Sequence, residues 1–462
     1  MIRLHETIVV ERTLEDCYRY LLDFSTSEQW DPGVYRAEKL TAGAPAVGTE
    51  FDLLLNSAGR HVPMRYTLKE ASGNCIRLLG EGPGFSADDT ITLRDCENGK
   101  TEIDYVAELS FSGPAGRVEG LLRPWLNRVG RKALAGLKTA LTRADTAPVQ
   151  TASQRLAHRL VFPAMPSFTR RGYLAMPDKG LSERVDGKVF AITGPTSGLG
   201  LATACALSRL GARLVLVGRD PSRLEAAREE VLAFSGAPAS SIDLLEAELS
   251  LVSEARRAGE ILCRRYPALD GLINNAGALF AERGETEEGH ERALAVLLLA
   301  PYVLTQVAMP SLKAAGGHVI NVSSGGMYTQ PLRLDDMEYR QGDYDGAKAY
   351  ARAKRGLVAV TEYWARIHPS VRFNSMHPGW AATPGVAKSL PTFNRLLEKR
   401  LRDSRMGADT IIWLATARCV EDCSGLFWFD RRPRPTAVLP GTAVSSDQQA
   451  RLIEYLAQTC AV

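Results

Sequence analysis

Tyr350 and Lys354, in the segment YARAK, stand one helical turn apart, so on a helix their side chains share a face. A phenol and an ammonium so placed can form a proton-transfer pair. They can equally be two positions of an ordinary amphipathic helix, and the spacing alone leaves both readings open. A second group of residues narrows the chemistry. Gly194, Gly198 and Gly200 follow directly on the strand-like run KVFAIT and precede a helical run. Glycines there let the backbone turn tightly and approach a pyrophosphate, whose charge a helix N-terminus stabilises. The spacing Gly-x-x-x-Gly-x-Gly departs from the more familiar Gly-x-Gly-x-x-Gly. Its place between strand and helix makes it more than a structural turn.

The next strand ends in VGRD. A carboxylate at that point would accept from a ribose 2′-hydroxyl and repel a 2′-phosphate. Gly218 and Arg219 stand there instead, and the arginine favours NADP, while Asp220 one position later keeps NAD open. These residues need elements to hold them. From Val185 onward, KVFAITG, RLVLVGRD, DGLINNAG, GHVINVSS and VRFNSMHPGW read as strands separated by helical stretches. Repeated β–α alternation predicts a parallel, doubly wound α/β sheet of Rossmann type with helices on both faces.

The bulk numbers set the outer limits. A chain of 462 residues exceeds one ordinary core, and 45% hydrophobic with 24% charged residues is a globular composition. A net charge of +3 is too small to make nucleic acid a partner. Eight cysteines, none at Cys-x-x-Cys spacing, predict reduced thiols, no metal site and a cytoplasmic location. Charges break the N-terminal apolar run, so no signal peptide is expected there. The longest apolar stretch, Ala293–Leu304, is too short to span a bilayer and reads as a buried helix.

Residues 1–111 are written differently. Short alternating runs such as TEFDLLLN, VPMRYTLKEA and DDTITLRDC are separated by turn formers and preceded by a short helix that Thr13 can cap. A long helical segment, about 113–142, closes the region, with Val118, Leu121, Leu122, Trp125 and Val129 at helical spacing. With SEQWDPGVYRAEKL followed by GTEFDLLL, residues 1–145 resemble the polyketide cyclase/START-like superfamily. That resemblance implies an α+β helix-grip domain enclosing a lipophilic ligand. No convincing acid–base set stands out: His5, Asp31, His61 and Asp88 read as surface or fold residues. Residues 146–184 read as a linker, where Arg155, His158, Arg159, Arg170 and Arg171 beside apolar neighbours allow at most peripheral membrane contact. Residues 185–440 are the dehydrogenase-like domain and 441–462 a C-terminal tail.

Five motifs then occur in one order: TGPTSGLG (193–200), NNAG (274–277), NVSSGG (321–326), YARAK (350–354) and HPGW (377–380). In that order they resemble the short-chain dehydrogenase/reductase family over about residues 185–435. The resemblance implies catalytic roles for Ser324, Tyr350 and Lys354. It implies cofactor contacts from Gly194, Thr196, Ser197, Gly198, Leu199, Gly200, Arg219, Glu248, Leu249, Asn275, Ala276, Gly277, Tyr350, Lys354, Pro378, Gly379 and Thr383. Ser324 rather than Ser323 matches the family serine. A lysine ammonium beside a phenol would lower its pKa, letting Tyr350 exchange a proton with a carbonyl oxygen that Ser324 polarises. Two departures stand out. Ser324 and Tyr350 are 26 residues apart, which predicts an inserted loop, and Leu297 stands where the family has asparagine. The expectation is a homo-oligomeric NADP-dependent oxidoreductase interconverting a carbonyl and an alcohol on a small apolar substrate. The alternative is a lipophilic-ligand carrier with a weakly active dehydrogenase domain.

Overall fold

Strand β1 (Ile2–Val10) alternates between buried and exposed positions along its length, the pattern of a sheet covered on one face. Strands such as Phe85–Cys96 do the same, and the computed structural model pairs the N-terminal strands into one antiparallel sheet. It describes residues 2–41, 43–57, 60–96, 99–111, 119–141, 166–176, 182–382 and 400–461. Contacts divide the chain into two compact units, Met1–Ala144 with Pro177–Leu181, and Asp145–Met176 with Ser182–Val462.

In the first unit the strands are β1, β2 (Val34–Lys39), β3 (Glu50–Ser57), β4 (Arg60–Ser72), β5 (Cys75–Gly82), β6 (Phe85–Cys96) and β7 (Lys100–Phe111), in the order β1-β7-β6-β5-β4-β3-β2. Helices α1 (Leu14–Leu22) and α2 (Ser27–Trp30) precede β2, and Thr13 caps α1 by accepting from the Asp16 N–H. The long helix α3 (Glu119–Leu141) lays Ala133, Leu134, Leu137 and Leu141 on the inner-face residues Phe51, Leu53, Leu78 and Ile91. This is a helix-grip arrangement. The side chains of Leu121, Leu122 and Trp125, and residue Val118, lie outside the described residues.

The second unit is a doubly wound sheet in the order β10-β9-β8-β11-β12-β13-β14-β15. Its strands are β8 (Val189–Thr193), β9 (Arg213–Gly218), β10 (Ile242–Glu246), β11 (Gly271–Asn274), β12 (His318–Val322), β13 (Arg372–Met376), β14 (Phe427–Phe429) and β15 (Arg432–Arg434). All pair in parallel except β15, which turns back on β14. β11 and β12 are buried at every position, as strands covered on both faces must be. Helices α5 (Gly198–Arg209), α6 (Pro221–Ser235) and α10 (Ser404–Thr416) share one core. On the other side, α7 (Val252–Arg265), α8 (Arg292–Ala315), α9 (Gly346–Ile367) and α11 (Ser446–Cys460) share another. α8 is the buried helix the sequence reads at Ala293–Leu304, but its length corrects that reading. As one helix of 24 residues, with a π-turn at Ala295–Leu299, it is long and apolar enough to cross a membrane, yet 78% of its apolar window is buried in this unit.

Chain order reverses between β8 and β11, so the loops after those strands diverge and leave a crevice at their C-terminal ends. A further feature shapes that edge. Asp430 and Arg431 form the turn between β14 and β15, both with left-handed backbones at φ 52° and 55°. Buried ion pairs fix both: Arg402 grips Asp430 at 2.6 and 2.9 Å, and Arg431 grips Asp409 at 2.9 and 2.7 Å. Arg402 also donates to the carbonyls of Ser167 and Phe168, at 2.8 and 3.1 Å. It thereby holds Pro166–Phe168 and α4 (Arg170–Leu174), part of the stretch read as linker, against the sheet.

Candidate active site

At the end of β8 the chain turns through Gly194 and Gly198, both left-handed, into α5. The turn is closed from the side by the segment after β11. Thr193 Oγ1 accepts from the N–H groups of Asn275 and Ala276 at 3.0 and 2.9 Å, and Asn275 Nδ2 donates to the carbonyls of Thr193 and Gly194 at 3.0 and 3.1 Å. A methyl on Gly200 would lie 2.2 Å from the Gly194 oxygen, so only glycine fits there. Ser197 precedes the first turn of α5 and makes no side-chain cap. The donor set of this turn and helix end suits a pyrophosphate.

Arg219 and Glu248 project from the ends of β9 and β10 and pair at 3.3 Å, with the arginine 71% exposed. Asp220 is committed elsewhere: it caps α6 by accepting from the Arg223 N–H at 3.1 Å. The Leu249 side chain is buried in the core, so only its backbone remains for a ligand. Gly379 has φ 78°, and a methyl on it would strike Arg402 at 2.4 Å. Thr383 lies outside the described residues.

Helix α9 starts where Asp345 accepts from the N–H groups of Ala347 and Lys348. One turn in, Tyr350 and Lys354 face the crevice. Lys354 Nζ lies 5.8 Å from the Tyr350 ring centre and donates to the Val322 carbonyl at 2.6 Å. Ser324 begins the turn after β12 and hydrogen-bonds Tyr350. Ser323 is buried, its hydroxyl donating to the Lys354 carbonyl at 3.3 Å, which leaves Ser324 as the half-exposed serine. The inserted stretch is tied down: Glu338 accepts from the Glu291 N–H at 2.7 Å, Tyr344 donates to the Glu291 carboxylate at 2.9 Å, and Arg283 holds the Tyr339 carbonyl at 3.1 Å.

The electrostatics reverse one expectation. Burial lifts the Tyr350 phenol to about 12, only partly opposed by its hydrogen bond to Ser324, and burial lowers the Lys354 ammonium to about 7. The apolar cluster penalises both charged forms, so lysine does not pull the phenol down. Leu297, fully buried on the π-turn of α8, helps make that cluster. A methyl on Gly277 would lie 2.9 Å from Leu297 Cδ2 and 3.9 Å from Lys354 Nζ, which sets the leucine beside the lysine.

Sequence reasoning missed several residues. His377, Phe168 and Arg402 pack together beside the serine turn, and Arg402 reaches a partner 234 positions away, which no local pattern could signal. In the first unit the sequence reads Asp88 as a surface or fold residue, and it does pair outward with Arg77. Asp89 is the inward one. It is 3% exposed, hydrogen-bonded to Tyr66 and pushed up to about 7 by burial, with Asp31 nearby pushed up to about 6. The alternation of Ala87, Asp89, Ile91 and Leu93 along β6 carried that signal.

A doubly wound sheet with a glycine turn at its switch point and a serine, tyrosine and lysine gathered beside it is the architecture of a dinucleotide-dependent oxidoreductase. Comparisons agree. Residues 188–392 match the short chain dehydrogenase family and residues 1–142 match polyketide cyclase / dehydrase and lipid transport. Dehydrogenase/reductase SDR family member 12 of Bos taurus is 41% identical over 297 residues, 63% of this chain and 92% of that protein. The Homo sapiens protein of the same name is 40% identical over 60% of this chain and 88% of its own length. Retinol dehydrogenase 14 of Mus musculus is 34% identical over 55% of this chain and 80% of its own. The chain belongs to the short-chain dehydrogenase/reductase family and carries an N-terminal polyketide cyclase/START-like domain.

The Lys354 shift has a consequence for stability. Folded, the ammonium loses its proton near pH 7; unfolded, it does so near its ordinary 10.5. Between those values the unfolded chain binds more protons, so stability rises with pH through that window, and below about 7 the burial cost is present in full. Urea unfolding of the dehydrogenase unit at about pH 7 and pH 9 should show this rise, on the order of 1–3 kcal/mol, and Lys354→Met should remove it. Equal pH dependence in both proteins would mean the lysine is not desolvated in the folded state.

Proposed function

We propose that the second unit is an NADP-dependent reductase, reversible in principle, of an apolar carbonyl compound. The observation that carries this reading is the gathering of Ser324, Tyr350 and Lys354 beside the glycine turn at the switch point. Gly194–Gly200 and the start of α5 would hold the pyrophosphate, with Asn275–Gly277 beside the adenosine and Pro378 and Gly379 beside the nicotinamide. When bound, the nicotinamide supplies or accepts hydride. As the carbonyl carbon is reduced, the C=O π pair moves to the oxygen, which takes the Tyr350 proton. Ser324 donates a hydrogen bond to the same oxygen, where charge develops. At neutral pH the phenol carries its proton and so can act as the acid in the reducing direction. Lys354, anchored on the Val322 carbonyl, holds the far side of Tyr350 and would meet the nicotinamide ribose.

NADP preference rests on Arg219. Its exposed pair with Glu248 is weak, about 0–1 kcal/mol, so a 2′-phosphate can displace the carboxylate. The apolar substrate class is supported by the apolar wall around Tyr350 and by the relation to a retinol dehydrogenase. Leu297 favours a second reading, a carrier with slow chemistry, because it gives Lys354 no polar neighbour for proton resupply. The first unit, on this proposal, binds an apolar ligand that bears an oxygen. Asp89 and Tyr66 support this, with Tyr66 lying over Gly80, where a methyl would stand 2.6 Å from its ring.

Three measurements test these points. With decanal or phenanthrenequinone as carbonyl, Tyr350→Phe should lower NADPH turnover by roughly 10²–10⁴-fold while NADPH still binds. Retained turnover in that variant would exclude the mechanism. Arg219→Ala should erase a preference for NADPH over NADH in dissociation constants, and equal constants in the unmutated protein would refute the assignment. Calorimetry on the full chain should find naphthol bound several-fold more tightly than naphthalene, a difference lost in Asp89→Leu. Equal affinities of the two probes would leave the N-terminal interior as a plain apolar core.

A further inference from the structure

His377 directly follows β13 and is 3% exposed. Its backbone N–H donates to the Trp428 carbonyl at 2.8 Å, which fixes the residue on the sheet. Its ring stacks on Phe429 at 5.0 Å and meets Phe168 edge-on at 4.6 Å. Phe168 is itself held through its carbonyl by the Trp380 N–H and by Arg402. The imidazole is thus clamped between two aromatic rings that the Arg402–Asp430 pair locks in place.

One ring atom has a definite task. Nδ1 lies 3.0 Å from the backbone nitrogen of Gly325 and accepts its N–H. The ring is therefore the neutral tautomer with its proton on Nε2, an atom buried without a hydrogen-bond partner among the described residues. Burial first, and then the guanidinium groups of Arg402 and Arg434, hold its pKa down to about 3, so the acceptor persists at any ordinary pH. Gly325 directly follows Ser324. Its N–H is bound by the imidazole, and the next N–H, of Gly326, is bound by the Ser324 hydroxyl at 3.2 Å. On the other side, Ser323 N donates to the Met376 carbonyl at 2.8 Å. Ser324 is thus flanked by two anchored amides, one bonded to the Met376 carbonyl at the end of β13 and one to the His377 ring just beyond it. A methyl on Gly325 would lie 2.9 Å from Nε2 and 3.2 Å from Cε1, so the turn runs flush over the ring.

We infer that His377 is a positioning residue for Ser324, using Nδ1 to fix the Gly325 amide and so the rotation of the serine turn toward Tyr350. This rests on the reading of Ser324 as the donor to the carbonyl oxygen. A residue that merely fills space would give the opposite response to two substitutions. His377→Phe keeps the ring between Phe168 and Phe429 and deletes the acceptor. His377→Asn deletes the ring and keeps an oxygen that reaches the place of Nδ1.

The experiment compares both variants in the full chain. Amide hydrogen exchange over residues 323–329 reads the turn directly, and NADPH affinity and turnover with phenanthrenequinone read the site. His377→Phe should raise exchange at Gly325 and lower turnover, each roughly ten-fold, the size of one neutral hydrogen bond, with NADPH affinity unchanged. His377→Asn should stay within about three-fold of the unmutated protein in both. Protected exchange and full turnover in His377→Phe would overturn the inference, as would equal losses in the two variants, which would mark a packing role. If His377→Phe does not fold, His377→Gln replaces it, since its amide reaches toward Nε2 instead, and wild-type behaviour there would overturn the inference. Exchange decides the positioning even where no turnover is found, so a failure of the reductase reading stays separate from a failure of this one.

Discussion

A parallel sheet covered on both faces leaves only the ends of its strands for chemistry, and every feature of the dehydrogenase unit follows from that constraint. β11 and β12 are buried throughout, so no polar side chain can work from the middle of the sheet without a partner. Asn274 and Asn321, at the strand ends, show the cost: Asn274 donates to Asn321 and Thr305, and Asn321 donates to Thr361, at 2.8, 3.1 and 2.9 Å. Beyond them the loops are free to carry the glycine turn, the serine turn and the segment after β13. They meet where the strand order reverses, because only there do neighbouring loops leave in opposite directions.

Holding those loops takes buried charge. Arg402 joins three stretches far apart in sequence: the hairpin turn at Asp430, the carbonyls of Ser167 and Phe168, and, through its own backbone, Trp380 and Ala382. Breaking such a pair by removing one partner leaves an uncompensated charge in a dry site, which is far costlier than the pair is stabilising. The two left-handed residues Asp430 and Arg431 make the same point. Non-glycine residues adopt that conformation only when the surroundings over-determine it, and here each carries its own buried ion pair.

Burial also sets the protonation of Tyr350 and Lys354. Leu297 and its neighbours make the surroundings of Lys354 apolar, and the same apolar medium raises Tyr350 and lowers Lys354. The lysine's hydrogen bond to the Val322 carbonyl anchors it without supplying charge. The N-terminal unit repeats the theme: Asp89 stands among Leu78, Ala87 and Ile91, and is protonated more readily for that reason.

The sequence by itself determined the classes of structure: an alternating antiparallel sheet with a closing helix, then β–α repeats with a glycine turn after the first strand. Period-two and continuous apolar patterns are local, so they can be read without knowing any contact. It also determined the order of the five motifs, and hence Ser324, Tyr350 and Lys354 as the residues that the fold gathers. The tertiary structure alone decided how those groups are tuned, because a pKa depends on neighbours from other strands and helices. It alone showed that Arg219 already pairs with Glu248, that Leu249 turns into the core, and that Asp220 is spent on a helix cap. It alone turned part of an apparent linker into a clamp, since the partners of Phe168 lie more than two hundred residues away. His377 is the sharpest case: HPGW is visible as a motif, but which ring nitrogen accepts, and from which amide, is fixed only when β12 and β13 lie side by side.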